Sequence, residues 1–260
     1  MIPIRWFLNK RINIKLVISC TLSLGLIVTS AALGGYEPGN QKPVPKDRKS
    51  DAGTTRGCSG EDIPLTVIAS GNYVGRTISG HPTFAWFVPG DSASKPMKFM
   101  IYEWVPSGKP KEVRNISLQS SPGIMKLSPF PENKLGLQLG KEYLLQVVIH
   151  CDPDNPSGDL VDEANVEVVK MPADVQTKLN KAVNSLEKAN IYAEAGLWYN
   201  ALDEALKLAQ VSKLGGVGST LLKDLAKWEA PKTTLELSPR ERETIEKRIE
   251  NLKKIADSQR

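Results

Sequence analysis

The hydrophobic pattern of this 260-residue chain changes its period once, at Pro172. Between Leu65 and Lys170, short runs of β-branched and aromatic residues are separated by Gly, Pro, Asn and Ser, which is typical of short β-strands. Beyond Pro172 the apolar residues recur every three or four positions, which is the spacing of an α-helix. A block of strands followed by a block of helices predicts an α+β fold.

The β-rich block shows alternation within several of its predicted strands. Phe84, Trp86 and Val88 occupy every second position, so they share one face of a strand. Many short strands divided by turn residues favour a β-sandwich, which we place over residues 58–170. We predict seven strands, at Leu65–Ala69, Thr83–Val88, Lys98–Val105, Lys111–Leu118, Ile124–Leu127, Tyr143–His150 and Ala164–Lys170.

The segment from Leu139 to Tyr143 makes the sandwich prediction more specific. It has the pattern Leu-Gly-x-x-Tyr and leads into a strand, which resembles the tyrosine corner of immunoglobulin-like domains. An ordinary hairpin with a buried tyrosine is the alternative interpretation. We therefore expect an immunoglobulin-like antiparallel β-sandwich followed by α-helices.

The helical block begins with two apolar stripes on either side of Gly196. The first stripe predicts a single helix and consists of Val175, Leu179, Ala182, Val183, Leu186, Ala189 and Ala193. The second begins at Trp198 and continues through Ala residues four positions apart. The string "AEAGLWYNALDEALKLA" from Ala193 to Ala209 resembles the core of a tetratricopeptide repeat (TPR). We predict a TPR-like hairpin over residues 171–211, which must pack on another element because one repeat cannot bury its own face.

Residues 212–260 predict a C-terminal helical extension. A helix is expected at Thr220–Trp228, and a second helix begins at Ser238, where Pro239 and Glu241 complete a capping pattern. The stripe of the last helix is narrow, so a solvated amphipathic helix and a partner-binding helix are both open interpretations. The candidate partner-binding residues of the hairpin and of this helix are Trp198, Tyr199, Ile245, Ile249 and Leu252.

The N-terminus predicts export. Four basic residues and no acidic ones occur in residues 1–32, and all four precede the apolar run Leu16–Val28. Small residues follow, so we expect a signal peptide cleaved after Ala31 or Ala32, or an uncleaved signal anchor within residues 16–35. Lipidation at Cys20 is a third alternative. Residues 33–57 are rich in Pro, Gly and charge, which predicts a flexible linker.

The charge of the chain does not indicate a nucleic-acid partner. The formal net charge of +5 falls to +1 beyond residue 32 and to −1 from Cys58 onward. Proteins that bind DNA or RNA need a basic surface, so we expect no nucleic-acid partner for this chain.

Two cysteines remain beyond the predicted signal. In an oxidising compartment Cys58 and Cys151 form an even, isolated pair, which favours one structural disulfide. A reactive or metal-binding thiol is the alternative, although neither cysteine belongs to a Cys-x-x-Cys motif.

Four blocks of sequence resemble one family. The resemblance covers about residues 54–210 and is to the cyanobacterial family catalogued as domain of unknown function 928. It implies a secreted or periplasmic protein, places Cys58 and Cys151 at the two cysteine positions of the family, and brings no established activity. The blocks are "RGCSGEDIPLTVIAS" (Arg56–Ser70), "GHPTFAWFVPG" (Gly80–Gly90), "SPGIMKLSPFPENKLGLQLGKEYLLQVVIHCDPDN" (Ser121–Asn155) and "IYAEAGLWYNAL" (Ile191–Leu202).

Motifs of common enzymes are missing from the sequence. It contains no G-x-S-x-G, P-loop, H-E-x-x-H or G-x-G-x-x-G motif, so we expect no catalytic residues, no cofactor and no metal site. The acidic loop 152–163 fits the calcium-binding EF-hand template poorly because Pro156 and Ser157 occupy ligand and glycine positions. A turn-rich loop is the simpler interpretation, and His81 and His150 are expected to be structural.

Two hypotheses about function follow. The first is a non-enzymatic envelope protein, periplasmic or secreted, that binds another envelope protein through its helices. The second is a periplasmic ligand-binding or hydrolytic domain that uses the acidic loop 152–163. The first predicts an exposed apolar patch on the helices, and the second predicts a concave pocket with convergent polar groups.

Overall fold

The computed structural model describes residues 35–39, 41–44, 62–92, 94–106, 109–131, 133–152, 154–230 and 237–260. All of them belong to one compact unit, Leu33–Arg260. The predicted signal segment 1–32 and Cys58 lie outside the described residues, so export and the disulfide stay predictions. In the part of the chain that the structure describes, no helix is long and apolar enough to cross a membrane.

The described residues form an α+β fold of eight strands and five α-helices. The strands are β1 (Thr66–Val67), β2 (Gly75–Thr77), β3 (Phe84–Val88), β4 (Pro96–Glu103), β5 (Lys111–Gln119), β6 (Gly123–Leu127), β7 (Glu142–Ile149) and β8 (Leu160–Val168). The helices are α1 (Ala173–Leu179), α2 (Ser185–Glu194), α3 (Trp198–Lys207), α4 (Gly215–Glu229) and α5 (Pro239–Ser258).

The strands form two sheets. The larger sheet has the order β2-β8-β7-β4-β5 and the smaller has the order β1-β3-β6. All neighbours pair antiparallel except β2, which pairs parallel to β8. The larger sheet is therefore mixed.

The two sheets share one apolar core, which also includes residues of α3, α4 and α5. The ring of Phe99 on β4 lies 5.7 Å from that of Phe84 and 5.5 Å from that of Trp86, both on β3. Tyr199 of α3 contacts the same cluster, because its ring lies 5.2 Å from Phe84. Each large side chain buried in this way stabilises the fold by about 1.5–3 kcal/mol.

The outer edge of β1 is covered by an ion pair. The backbone N–H of Val67 donates to Asp162 at 2.6 Å, and Arg248 of α5 donates to the carbonyl oxygen of Val67 at 3.2 Å. Arg248 also donates to Ala69 and lies 3.2 Å from Asp162. Two side chains thus replace the hydrogen bonds that a further strand would make.

The edges at β6 and β2 are covered by the helical block. The N–H of Ile124 on β6 donates to the carbonyl of Ser212 at 3.1 Å. The N–H of Ile78, directly after β2, donates to the side chain of Asn200 on α3 at 3.0 Å. Three of the four outer strands therefore have specific partners on their outer side.

The residues that follow α5 pack against the same compact unit. The carbonyl of Gln259 accepts hydrogen bonds from the N–H groups of Leu214, at 2.8 Å, and Gly215, at 3.2 Å. Lys213 donates to the carbonyl of Ser258 at 3.2 Å. The last residues therefore hold the loop between α3 and α4.

The structure corrects the flexible linker predicted for residues 33–57 in its described part, residues 35–39 and 41–44. Tyr36 is buried, and its ring lies 4.9 Å from that of Trp198. Its N–H donates to Asp224 at 3.2 Å, and its carbonyl accepts from the indole of Trp228 at 2.7 Å. Burial raises the pKa of the Tyr36 phenol above its usual range. The composition predicted mobility, but the buried side chains of Tyr36 and Val44 and the backbone hydrogen bonds of Glu37 and Val44 fix this segment.

The single helix predicted from Val175 to Ala193 is wrong, because the structure has two helices there. The side chain of Asn184 accepts from the N–H of Glu187 at 2.9 Å, and Glu187 accepts from the N–H of Val183 at 3.0 Å. This reciprocal capping begins α2 at Ser185 and leaves Val183 exposed instead of in a stripe.

The other elements agree with the sequence more closely. The capping pattern predicted at Ser238 and Glu241 is present at the start of α5. The seven predicted strands are found with shifted ends, and Thr220–Trp228 lies within the longer α4. The three-residue β2 was not predicted.

Candidate functional site

A polar cleft of about 300 Å³ lies between α3 and β6. The strand block forms one wall and α3 forms the other, so the cleft depends on their packing. Its lining, which we call the α3 cleft, consists of Thr83, Lys126, Leu127, Ser128, Asp203, Leu206 and Lys207.

Hydroxyl and carboxylate groups meet in the middle of the α3 cleft. The hydroxyl of Thr83 donates to Asp203 at 2.5 Å and lies 2.9 Å from the hydroxyl of Ser128. Lys207, one turn after Asp203 on α3, lies 2.9 Å from the carboxylate of Asp203 and 2.8 Å from that of Glu204. These bonds place the groups before any partner arrives.

The two lysines of the cleft are held in different ways. Lys126 donates to the carbonyl of Leu206 at 3.3 Å, near the C-terminal end of α3, where a cation interacts favourably with the helix dipole. Partial burial disfavours the charge of Lys207, but hydrogen bonds with Glu204 and Asp203 outweigh this and raise the pKa of Lys207. The cleft thus presents both positive and negative groups.

Exposed apolar residues follow the cleft along the chain. Leu208 caps the C-terminus of α3 and is 51% exposed, and Val211 in the next loop is 92% exposed. Lys207, which lines the cleft, immediately precedes Leu208 in the chain, and Val211 lies four residues after Lys207. A polar cleft that is followed along the chain by exposed apolar side chains has the mixed composition of protein-protein contact surfaces.

Two candidate partner-binding residues, Trp198 and Tyr199, lie in the core. Both are 1% exposed, and the indole of Trp198 donates to the carbonyl of Ile68 at 2.9 Å. The hydroxyl of Tyr199 donates to the carbonyl of Asn165 at 3.3 Å. Their apolar area is used to join α3 to the sheets, so they do not form a free surface.

The candidates on α5 face the same body. Leu252 is fully buried, while Ile249 and Ile245 are half-buried. Ile249 packs against the apolar core. The narrow stripe of α5 therefore packs within the chain, and the structure does not bring these residues together with the α3 cleft.

The acidic loop 152–163 is organised by its own hydrogen bonds. Asp159 accepts from the N–H of Cys151 at 3.0 Å and lies 2.7 Å from Nδ1 of His150. The N–H of Asp154 donates to the side chain of Asp152 at 2.9 Å, which closes a local turn. Cys151 itself is partly buried against the core.

Metal-binding geometry does not appear in the part of the chain that the structure describes. No group of three or more His, Cys, Asp or Glu side chains converges there. His81 bonds the carbonyl of Lys134 at 2.9 Å, and its ring lies 6.4 Å from Phe130. These contacts match those of a structural histidine.

A comparison with models of known protein families assigns the chain to one family. The family model described as Domain of Unknown Function (DUF928) matches residues 51–220. The chain therefore belongs to this family, as its sequence blocks predicted. No curated protein matches the chain. The match ends within α4, so α5 lies outside the family region.

No pattern in the sequence predicts the α3 cleft. Asp203 and Lys207 have the four-residue spacing of a helical ion pair, a signal that usually indicates only a solvated helix face. Thr83 and Lys126 carry no local signal. The cleft results from the packing of three distant segments, which periodicity does not predict.

Proposed function

We propose that this chain is an exported, non-enzymatic protein-binding or structural module of the cell envelope. The observation that supports binding most directly is the α3 cleft together with Leu208 and Val211, the exposed apolar residues that follow it in the chain. Their exposure on the helical block provides apolar area, and the cleft provides paired charges that set orientation. We expect the partner to be another envelope protein.

The location follows from the N-terminal sequence. A basic segment followed by the apolar run Leu16–Val28 is expected to send the chain to the periplasm or outside the cell, with cleavage near Ala32 or anchoring through residues 16–35. We propose a disulfide between Cys58 and Cys151 in that oxidising compartment.

We also propose that the strand block is an immunoglobulin-like sandwich and that α2 and α3 form a TPR-like hairpin. The hydroxyl of Tyr143 accepts from the N–H of Gln138 at 2.9 Å, a contact that a tyrosine corner makes. Gly196 supports the hairpin because it joins the two helices at a φ of +68°, where a side chain would be strained.

The alternative, a hydrolytic or ligand-binding domain at loop 152–163, has one observation in its favour. Asp159 orients the imidazole of His150, as a carboxylate does in catalytic dyads. However, the other oxygen of Asp159 accepts from Cys151, and Nε2 of His150 is buried without a partner among the described residues. This arrangement favours a structural turn over a site open to substrate.

The test uses two equally simple surface variants of the full chain. Val211→Glu places a charge in the exposed loop that follows α3, and Val183→Glu places the same charge on another exposed valine of the helical block. Both should leave stability nearly unchanged, because both side chains are more than four-fifths exposed.

The measurement is cross-linking of the envelope fraction of the native host, followed by identification of what co-purifies. We expect a stoichiometric protein with the unmodified chain and with Val183→Glu, and at least a tenfold loss with Val211→Glu, since a buried unpaired charge opposes binding. Equal recovery of the partner with both variants would exclude the α3 cleft as the binding surface. Absence of any stoichiometric partner would exclude the proposal that the chain is a protein-binding module.

A further inference from the structure

Among the outer strands in the described part of the chain, β5 differs from the other three because no described residue covers its outer edge. β1, β6 and β2 each have hydrogen-bonding partners on that side, as described above. Within the described ranges, no strand lies beyond β5, and its backbone groups have no partners outside β4. A nine-residue strand with a free edge is a template for pairing with another strand.

The two halves of β5 are protected differently. Pro110 precedes the strand, Lys111 and Glu112 are charged, and the register with β4 shifts so that Val113 is an extra residue. Proline, charge and a bulge all discourage edge pairing. The second half, Asn115–Gln119, has none of these features and keeps an uninterrupted register with β4.

The backbone of this second half points its free groups outward. The N–H of Ser120 donates to the carbonyl of Lys95, which aligns residue 120 with β4. Hydrogen bonding in an antiparallel pair alternates along the strand. Residues 116 and 118 therefore bond to β4, while Asn115, Ser117 and Gln119 direct N–H and C=O groups to the open edge.

A second copy of this chain fits that edge. When two copies of β5 pair antiparallel about a two-fold axis at Ser117, Ser117 of one copy faces Ser117 of the other, and Asn115 of each copy faces Gln119 of the other. The outward N–H and C=O groups of the two strands then form about six hydrogen bonds. No like charges face each other. Ile116 and Leu118, which are half-buried at the sheet edge, would then pack against their counterparts.

We propose that this protein forms a two-fold symmetric dimer through antiparallel pairing of Asn115–Gln119 of β5, which joins the larger sheets of two copies. The interface lies on the strand block, whereas the α3 cleft lies at α3 and β6. The proposal is therefore independent of the proposed partner binding, and either can fail alone.

The test compares Ser117→Pro with Ser117→Thr in the full chain, purified in mild detergent. Proline removes the outward N–H at the two-fold axis and leaves the hydrogen bonds of β4 and β5 intact, because residue 117 does not donate to β4. Threonine keeps the N–H and favours a strand. Native mass spectrometry measures the dimer fraction, and circular dichroism measures the melting temperature.

We expect the unmodified chain and Ser117→Thr to be dimers at micromolar concentration. Ser117→Pro should raise the dissociation constant of the dimer at least tenfold. Its melting temperature should be unchanged at low concentration, where every copy is monomeric. A monomeric unmodified chain, or an equally dimeric Ser117→Pro variant, would overturn the proposal. Photochemical cross-links from a photoreactive residue placed at position 117 to residues 115–119 of a second copy would support it, and links from that position to other segments alone would overturn it.

Discussion

Arg248 is the residue that joins α5 to the rest of the molecule. Its guanidinium reaches the carboxylate of Asp162 on β8 and two carbonyl groups at β1, and only 16% of its side chain is exposed. Burial disfavours the charge of Arg248, but the carboxylates of Asp162 and Glu229 outweigh this and raise its pKa. Arg248 therefore stays charged at any pH at which the protein is folded.

We expect Arg248→Met to lower the free energy of unfolding by about 3 kcal/mol. The change leaves Asp162 as a buried carboxylate without its cation, which costs more than the pair contributes when intact. Urea unfolding checks this, with Lys253→Met as the control, because Lys253 is exposed on the same helix. Equal midpoints for the two variants would contradict a structural role for the Arg248 ion pair.

Residue roles differ in how well the sequence predicts them. The alternation around Trp86 predicts its burial correctly because it places the indole on the inner face of a strand, whereas Trp198 was expected to bind a partner and is buried in the core. The pairing of Arg248 with Asp162 was not predictable, since the two residues lie far apart and each looks like an ordinary surface charge. Contacts that depend on tertiary packing have no local signal.

The break between α1 and α2 shows how one cap decides an element. The apolar spacing continues through Ala182 and Val183, which predicts one helix, yet α1 ends at Leu179 and Asn184 caps the start of a second helix. An asparagine side chain that accepts from the third N–H of the next helix stabilises a new start more than the continuing stripe stabilises the old helix. Periodicity alone does not weigh these two effects.

We expect Asn184→Ala to lower the free energy of unfolding by about 1 kcal/mol, because the N–H of Glu187 loses its acceptor. Asn184→Ser keeps an uncharged acceptor at the same position and should cost less than alanine, because serine is also a preferred N-cap residue. Thermal unfolding followed by circular dichroism compares the two. A cost from serine equal to that from alanine would show that the cap does not set this boundary.

Strand β2 was missed for a similar reason. Its three residues, Gly-Arg-Thr, are too few to show alternation, and its partner β8 lies about 90 residues further along the chain. The longer antiparallel strands were predictable because each shows its own pattern. The sequence therefore predicts the type of a long element, but it does not predict which strands pair with each other.

At the scale of the whole molecule, the family region and the extension form one folded unit. The family match covers residues 51–220, while the segment near Tyr36 and helix α5 lie on either side of it. Both additions contribute buried residues, including Tyr36 from the first and Leu252 and Ile255 from the second. Neither is a separate appendage.

The proposed Cys58–Cys151 disulfide also acts at this scale. We expect reduction to lower the free energy of unfolding by roughly 4–5 kcal/mol, because the bond would close a long loop in the unfolded chain. Urea unfolding with and without reductant measures the change. The double variant Cys58→Ala/Cys151→Ala should show no response to reductant, and an unmodified chain that behaves like it would contradict the disulfide.

The bonds from Leu214 and Gly215 to the carbonyl of Gln259 have a consequence for the order of folding. Gln259 directly follows α5, so the loop between α3 and α4 obtains this partner only after α5 has packed against the core. Because contacts between distant segments form late, we expect this loop to become ordered in one of the last steps of folding.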